Sequence, residues 1–572
     1  MIKENLTSLR ELLKTLGVGG FIIPSNDEFM NEYVPEHLNR LKFFTSFSGS
    51  NGVAIITLES AFFFTDGRYL LQAKKQLGDL FEIFDMYDKS SCDHYHKLFK
   101  SVKKLGYDPM LHSQKNLDYY AKLASENEFE IVPLSSNPVD LLWNDKPNPP
   151  QSNVYYLDLK YAGLSSADKI SSVLEALEHD SDSILFTHLD AICWLLNIRA
   201  SDVDYNPFPL CYMMLDRSRN ITLYIESGAS RIDFDILDCK FVELSEAVTH
   251  IKNLGQKIQM DYSKTPVAFS SITNTINAKD PIEMMKACKN TIEQDGFRRA
   301  HFEDGLAIIK VLHELFTNQN STYTEFSICE MLDKARGKRN NFVEPSFSSI
   351  VGYQENGAII HYKAEKSTAK KIGNNGLILI DSGGHYLDGT TDITRTIHLG
   401  TPKPREKEMF TRVLKGHIQL AMAIFPIGTT GAHLDILARN ALWQNGLNYQ
   451  HGTGHGVGHF LSVHEGPQRI SQSFTEAVAL KEGMVISNEP GFYAEGEFGI
   501  RIESLLLVVK SKFDGFLEFE TLTLAPLQKS LIAEAMLSND EKAWINDYHS
   551  RIVHAYKNHL SEQELVWLNR YI

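Results

Sequence analysis

Two short apolar runs in the last third of this chain each lead to an acidic residue, an arrangement that few folds tolerate. Leu377-Ile378-Leu379-Ile380 stops at Asp381, and Met484-Val485-Ile486 leads to Glu489 in Asn-Glu-Pro-Gly. A continuous apolar run bounded by turn residues reads as a buried strand. A carboxylate at its end is costly to bury unless a cation neutralises it. Each acid has a second one downstream. Asp392 lies eleven residues after Asp381, within the β-branched alternation Thr391–Thr396. Gly383, Gly384 and Gly389 between them permit a hairpin that folds the two aspartates together. Glu503, fourteen residues after Glu489, closes Gly-Ile-Arg-Ile-Glu. The strand period puts Arg501 and Glu503 on one face and Ile500 and Ile502 on the other.

Between these pairs lie His451, His455, His459 and His464, four of the 21 histidines in the chain, separated by glycines. The glycines prevent a regular helix and let the backbone crowd a site. His455, with glycine on both sides, is the best metal candidate, and His459 has the weakest functional case. Taken singly, the acids read as turn, cap or surface residues. Together, Asp381, Asp392, His455, Glu489 and Glu503 supply four negative charges and one imidazole, which two divalent ions would balance. Oxygen-rich ligation favours Mn²⁺, with Co²⁺ or Zn²⁺ also suited. Two ions about 3.5–4 Å apart hold a bridging hydroxide at neutral pH and polarise a carbonyl. That is hydrolytic chemistry.

The rest of the chain sets the context. At 572 residues it is too long for one core. A net charge of −15 leaves no basic stripe, which argues against nucleic acid or an anionic membrane as partner. Six cysteines, at 92, 193, 211, 239, 288 and 329, form no C-x-x-C pair and suit a reducing compartment. Leu6, Leu9, Leu12, Leu13 and Leu16 share one face of an N-terminal amphipathic helix rather than a signal sequence, and no apolar run is long enough to span a bilayer. A cytoplasmic, soluble protein is expected. Strand and helix signals alternate up to the proline-rich stretch at 144–152 and again to about 281, so two mixed α/β segments, read as related copies, are expected. A long amphipathic helix from about 292 carries Phe302, Leu306, Ile309, Leu312 and Phe316. Capping boxes at Ser538/Glu541 and Ser561/Glu564 open two tail helices. Ile545, Tyr548, Ile552 and Tyr556 form a stripe there that reads as core or as a subunit interface.

These motifs resemble the pita-bread metallopeptidase family, and within it the long, three-domain form of aminopeptidase P. Asp66-Gly67-Arg68 resembles its first-domain turn and Phe519–Leu524 its late strand. Asp381, Asp392, His455, Glu489 and Glu503 all fall on its five ligand positions. The resemblance implies an α+β, α/β multidomain chain: creatinase-like mixed α/β domains at 1–148 and 149–291, then a pita-bread catalytic domain with a helical extension at 292–572. It implies a homodimer, and an aminopeptidase that removes the residue preceding proline from peptides with N-terminal Xaa-Pro. It gives site roles to His361, His451 and His464, and to Tyr493 and Arg501 as substrate-binding residues. A bridging hydroxide is expected to attack the carbonyl, with Glu489 as ligand and proton shuttle, His464 on the oxyanion, and His361 and His451 around the proline ring. His459 departs from the small polar residue often found there. A prolidase restricted to dipeptides and an inactive pita-bread binding module are the alternatives.

Overall fold

The computed structural model describes residues 2–88, 102–226, 239–318 and 322–572. The chain forms two compact units, Met1–Tyr156 with Ser165–Ile282, and Leu157–Leu164 with Glu283–Ile572. Cys92 lies outside the described residues. The other five cysteines are free thiols, as their spacing suggested.

The first unit holds two six-stranded sheets. In the first, strand Gly20–Pro24 pairs antiparallel with Val53–Thr57 and parallel with Lys104–Tyr107. In the second, Ser183–Phe186 pairs antiparallel with Cys211–Asp216 and parallel with Ile258–Met260. The outer strands repeat the same order and the same senses in both sheets. Two segments with one topology are what the reading of related copies anticipated. The N-terminal helix Ile2–Leu16 buries Leu6, Leu9 and Leu13, while Leu16 stays exposed, so its apolar face is narrower than the leucine spacing suggested. Asp66 and Arg68 form a close ion pair at the end of strand Ala61–Thr65.

The long helix of the second unit is Thr291–Thr317, started by an Asn290/Glu293 capping box. Its middle is buried on more than one face: Asp304 to Ile309 are all inaccessible, so the amphipathic stripe understates its burial. It packs on strand Gly389–Thr390 of a three-stranded sheet, and its Phe297 clusters with Val485, Leu505 and Leu507 of a six-stranded one. Both tail capping boxes are present and start helices Asn539–Tyr556 and Glu562–Tyr571. Ile545, Tyr548, Ile552 and Tyr556 are buried in the unit's own core. The stripe is therefore core within one chain, the first of its two readings, and is not available as a subunit interface. Among the described residues no helix is long and apolar enough to cross a membrane.

Candidate metal centre

Strand pairing brings the acids together. Gly376–Ser382 pairs antiparallel with Ile393–Leu399, Asp381 opposite Thr394. Asp392 stands one residue before the second strand. The connection contains a further short hairpin, Gly384–Tyr386 with Gly389–Thr390. In a separate sheet, strand Val485–Asn488 lies between His455's strand, Gly454–Gly456, and Ser504–Lys510. Glu489 follows the first of these three and Glu503 precedes the last. The hairpin Gly491–Ala494/Phe498–Arg501 connects them. Glu503 thus sits just beyond that hairpin, and Ile500, Arg501, Ile502 and Glu503 are all buried, so both faces of the alternation are covered.

The two sheets meet through Thr394. Its hydroxyl donates to Glu503 Oε2 at 2.8 Å, and its carbonyl accepts from the Glu503 amide at 3.1 Å. Asp392, His455 and Glu503 each offer one ligand atom, and these atoms lie within 4.8 Å of one another. His455 Nε2 is 3.4 Å from Asp392 and 3.6 Å from Glu489. His455 Nδ1 is 2.9 Å from the Gly456 carbonyl, which can only accept, so Nδ1 carries a proton, and Nε2 offers a lone pair to the cluster once its own proton is displaced. Asp381 accepts from Arg501 Nη2 at 2.5 Å through Oδ2, while its Oδ1 is buried with no hydrogen-bond partner.

The electrostatics are those of a site that wants cations. Burial pushes the Asp381 carboxyl up to about 6; Arg501 opposes this, and Asp392 and Glu489 add to it. Burial, then repulsion from Asp392, Asp381 and Glu489, drives Glu503 well above the usual carboxylate range. Burial also raises Glu489, against the pull of His455 and Arg501. Burial works against charging His455, yet the hydrogen bond to Asp392 and the charge of Glu489 lift it to about 9. Crowded carboxylates with an orphaned inward oxygen and a correctly tautomerised imidazole fit a pair of divalent cations.

A hydrogen-bond chain lines one side. Arg501 Nη1 donates to the Tyr493 hydroxyl at 2.8 Å, which lies 2.8 Å from His451 Nε2. Burial, opposed by Arg501, pushes the Tyr493 phenol up to about 12, so it stays protonated and donates to His451. His451 Nδ1 donates to the Gly452 carbonyl at 2.7 Å. The exposed His464 meets His455 edge to face, with ring centroids 4.3 Å apart. His361 follows the helical turn Gln354–Ala358, whose Gly357 backbone packs against Gly499 of the Tyr493/Arg501 hairpin.

Profiles of known families cover nearly all of the chain. Metallopeptidase family M24 matches residues 295–510, and the C-terminal region of M24 peptidases matches 515–572. Creatinase/prolidase N-terminal domains match 5–140 and 145–293. A Laccaria bicolor protein named probable Xaa-Pro aminopeptidase P is 39% identical, over 96% of this chain and 89% of its own length. This chain belongs to the aminopeptidase P branch of family M24. Aminopeptidase P2 of Arabidopsis thaliana is 35% identical over 96% of the chain and 85% of its own length. The crystal structure of the Caenorhabditis elegans X-prolyl aminopeptidase, described as a cytosolic enzyme with a di-nuclear active site, superposes with a TM-score of 0.94 at 32% identity. That match covers 100% of this chain and 99% of the other.

Within this M24 chain the acids and His455 converge, and His451, Tyr493 and Arg501 join them in one network. His459 does not join. Its buried ring meets Phe297 edge to face on the long helix, a structural role that agrees with its weak functional case. Sequence reasoning missed Thr394, which bridges Glu503 and Arg501, and the buried Asp435–Arg439 pair behind His451. Thr394 carried a signal: it lies two residues from Asp392 in an alternating strand and so shares its face. Asp435 and Arg439 are four apart on the helix face that also carries Leu434, Ala438 and Leu442, a spacing ordinarily read as an exposed helical ion pair.

Proposed function

We propose that this chain is a metal-dependent aminopeptidase that releases the N-terminal residue from peptides with proline second. The observation that carries the reading is the convergence of Asp392, His455 and Glu503 within 4.8 Å, in a chain whose relatives are Xaa-Pro aminopeptidases along almost their whole length. A bond preceding proline is a tertiary amide without an N–H, so a site that grips that donor is useless and carbonyl polarisation is the remaining handle. Asp381, Asp392, His455, Glu489 and Glu503 would hold two divalent ions, Mn²⁺ favoured over Co²⁺ or Zn²⁺ by the oxygen-rich set, which would supply Lewis acidity and make a water acidic enough to yield its proton at neutral pH.

The chain's own groups do the rest. Glu489 takes the proton of the attacking water and returns it to the departing proline nitrogen. His464 donates a hydrogen bond to the developing oxyanion. His361 and His451 frame the proline ring, and Tyr493 and Arg501 hold His451 and the peptide in register. Glu489→Gln is expected to lower kcat at least about a hundredfold on an Xaa-Pro-Xaa peptide. Metal content is measured alongside. Full activity with metal retained would remove the shuttle role. Rates on Gly-Pro against a longer peptide separate an aminopeptidase from a prolidase, and inactivity of metal-replete protein on both would leave the binding module.

The three-part division at 148/149 and 291/292 draws support from the two like-ordered sheets followed by the metal-bearing unit. A cytoplasmic setting draws support from the free cysteines. A homodimer belongs to the same proposal, on a face other than the buried tail stripe. A single-chain mass by light scattering would count against it.

A further inference from the structure

We infer that Arg439 is a positioning residue for this reaction, setting with Asp435 where the His451 imidazole stands beside the metal cluster. The inference rests on the role given to His451 above. Arg439 is 1% exposed and lies on helix Gly431–Trp443, outside the set of residues that would touch metal or peptide. Burying its charge is expensive, and the bonds it makes show what that burial maintains. Nε donates to Asp435 Oδ2 at 2.6 Å, and Nη1 donates to Asn448 Oδ1 at 2.9 Å and to the Tyr449 carbonyl at 2.7 Å. Nη2 donates to the carbonyl of His451 itself at 2.7 Å. The guanidinium also lies over the Tyr449 ring at 3.8 Å.

Asp435 uses its other oxygen on the same segment, accepting from the Thr453 hydroxyl at 2.5 Å. With its proton committed there, Thr453 Oγ1 accepts from the Tyr449 hydroxyl, also at 2.5 Å. The Thr453 carbonyl accepts the Glu489 amide at 2.8 Å. The ion pair therefore engages Asn448, Tyr449, His451 and Thr453 of a segment that contains the permissive Gly452, while the Thr453 backbone is joined to Ile470 and Glu489 on either side. The His451 ring engages Gly452 O and the Tyr493 hydroxyl, and both bonds need the backbone at 451 held to a fraction of an ångström. A planar fork with several donors can span Asp435, Asn448, Tyr449 and His451 together; an ammonium on a flexible stem cannot.

The test combines Arg439→Lys with His451→Ala in a double-mutant cycle on an Xaa-Pro-Xaa peptide, with metal content and crystal structures read in parallel. Arg439→Lys is expected to keep the full metal complement and to lose at least about tenfold in kcat, since small misplacements of a positioned group cost that much. Its crystal structure is expected to show His451 Nε2 out of hydrogen-bond reach of Tyr493. On the His451→Ala background the same change is expected to alter kcat by less than about twofold. Equal losses in both backgrounds, loss of metal, or an unmoved His451 ring would each overturn the inference. If Arg439→Lys does not fold, by circular dichroism, Thr453→Val enters the same cycle with the same outcomes. If His451→Ala is itself fully active, the catalytic reading of His451 fails, and the crystal structure alone still decides whether Arg439 fixes the ring.

Discussion

The Arg395 guanidinium donates to the Tyr548 hydroxyl at 2.8 Å, and through another nitrogen it donates to the carbonyl of Glu503 at 2.5 Å. A helix in the C-terminal tail is thereby fastened to the backbone of a candidate metal ligand. The Tyr548 hydroxyl also donates to the Ala525 carbonyl, 2.8 Å away. Tyr548→Phe removes one acceptor from a buried cation and another from the Ala525 amide, 3.3 Å away, while the Ala525 carbonyl keeps Arg395. The expected loss is about 1–3 kcal/mol, read as a lowered urea midpoint at unchanged slope. An unchanged midpoint would mean that the fastening contributes nothing.

Glu465, next to His464, is held by two ammonium groups, Lys286 at 2.9 Å and Lys289 closer still, with all three side chains inaccessible. Removing that negative charge takes an ion-pair partner from each of two buried cations, which ordinarily costs about 3–5 kcal/mol. Glu465→Gln is expected to lower the unfolding free energy by that order and Tm with it. A loss below about 1 kcal/mol would show that the lysines escape to water.

Gly499 is a close-approach glycine. A Cβ there would stand 1.7 Å from the Gly357 carbonyl, a backbone atom that cannot rotate away. Gly499→Ala is expected to push the turn Gln354–Ala358, and with it the His361 loop, off the Tyr493/Arg501 hairpin. The expected outcome is a loss of about 1–3 kcal/mol in stability, with a rise in KM for Xaa-Pro peptides. Wild-type kinetics would separate His361 from that contact.

Metal binding should strengthen as pH rises. Asp381 ionises near its ordinary 3.8 when unfolded but at about 6 in the folded chain. The folded state is therefore unpenalised below about pH 4, and the cost of the charge develops between about 4 and 6 and is complete above. Glu503 shifts in the same direction. His455 shifts the same way over a higher window: lifted to about 9, it adds stability below its ordinary 6.5 that fades as pH rises through 9, and a bound cation must displace its proton. Each group therefore favours cation binding at higher pH. The Tm difference between metal-loaded and chelator-treated protein is expected to be larger at pH 7 than at pH 4.5; an equal or reversed gap would contradict the reading.

Much of this protein was legible along the chain because the governing effects are local. Apolar runs halted by Asp381 and Glu489, the glycine-flanked His455 and the two serine capping boxes depend on spacing and backbone chemistry within a few residues, and the strands, helices and candidate ligand set were read from them. What only the tertiary structure decided is which partner each buried charge meets. The tail stripe became core because Arg395 and the strand beneath it supply its partners from some 150 residues away, and nothing in the i, i+4 spacing of Asp435 and Arg439 announces that the segment bearing His451 folds over them. A carboxylate or guanidinium reads the same in sequence whether water or protein surrounds it. Burial and the geometry of its neighbours determine its energy, and both exist only once distant segments have packed.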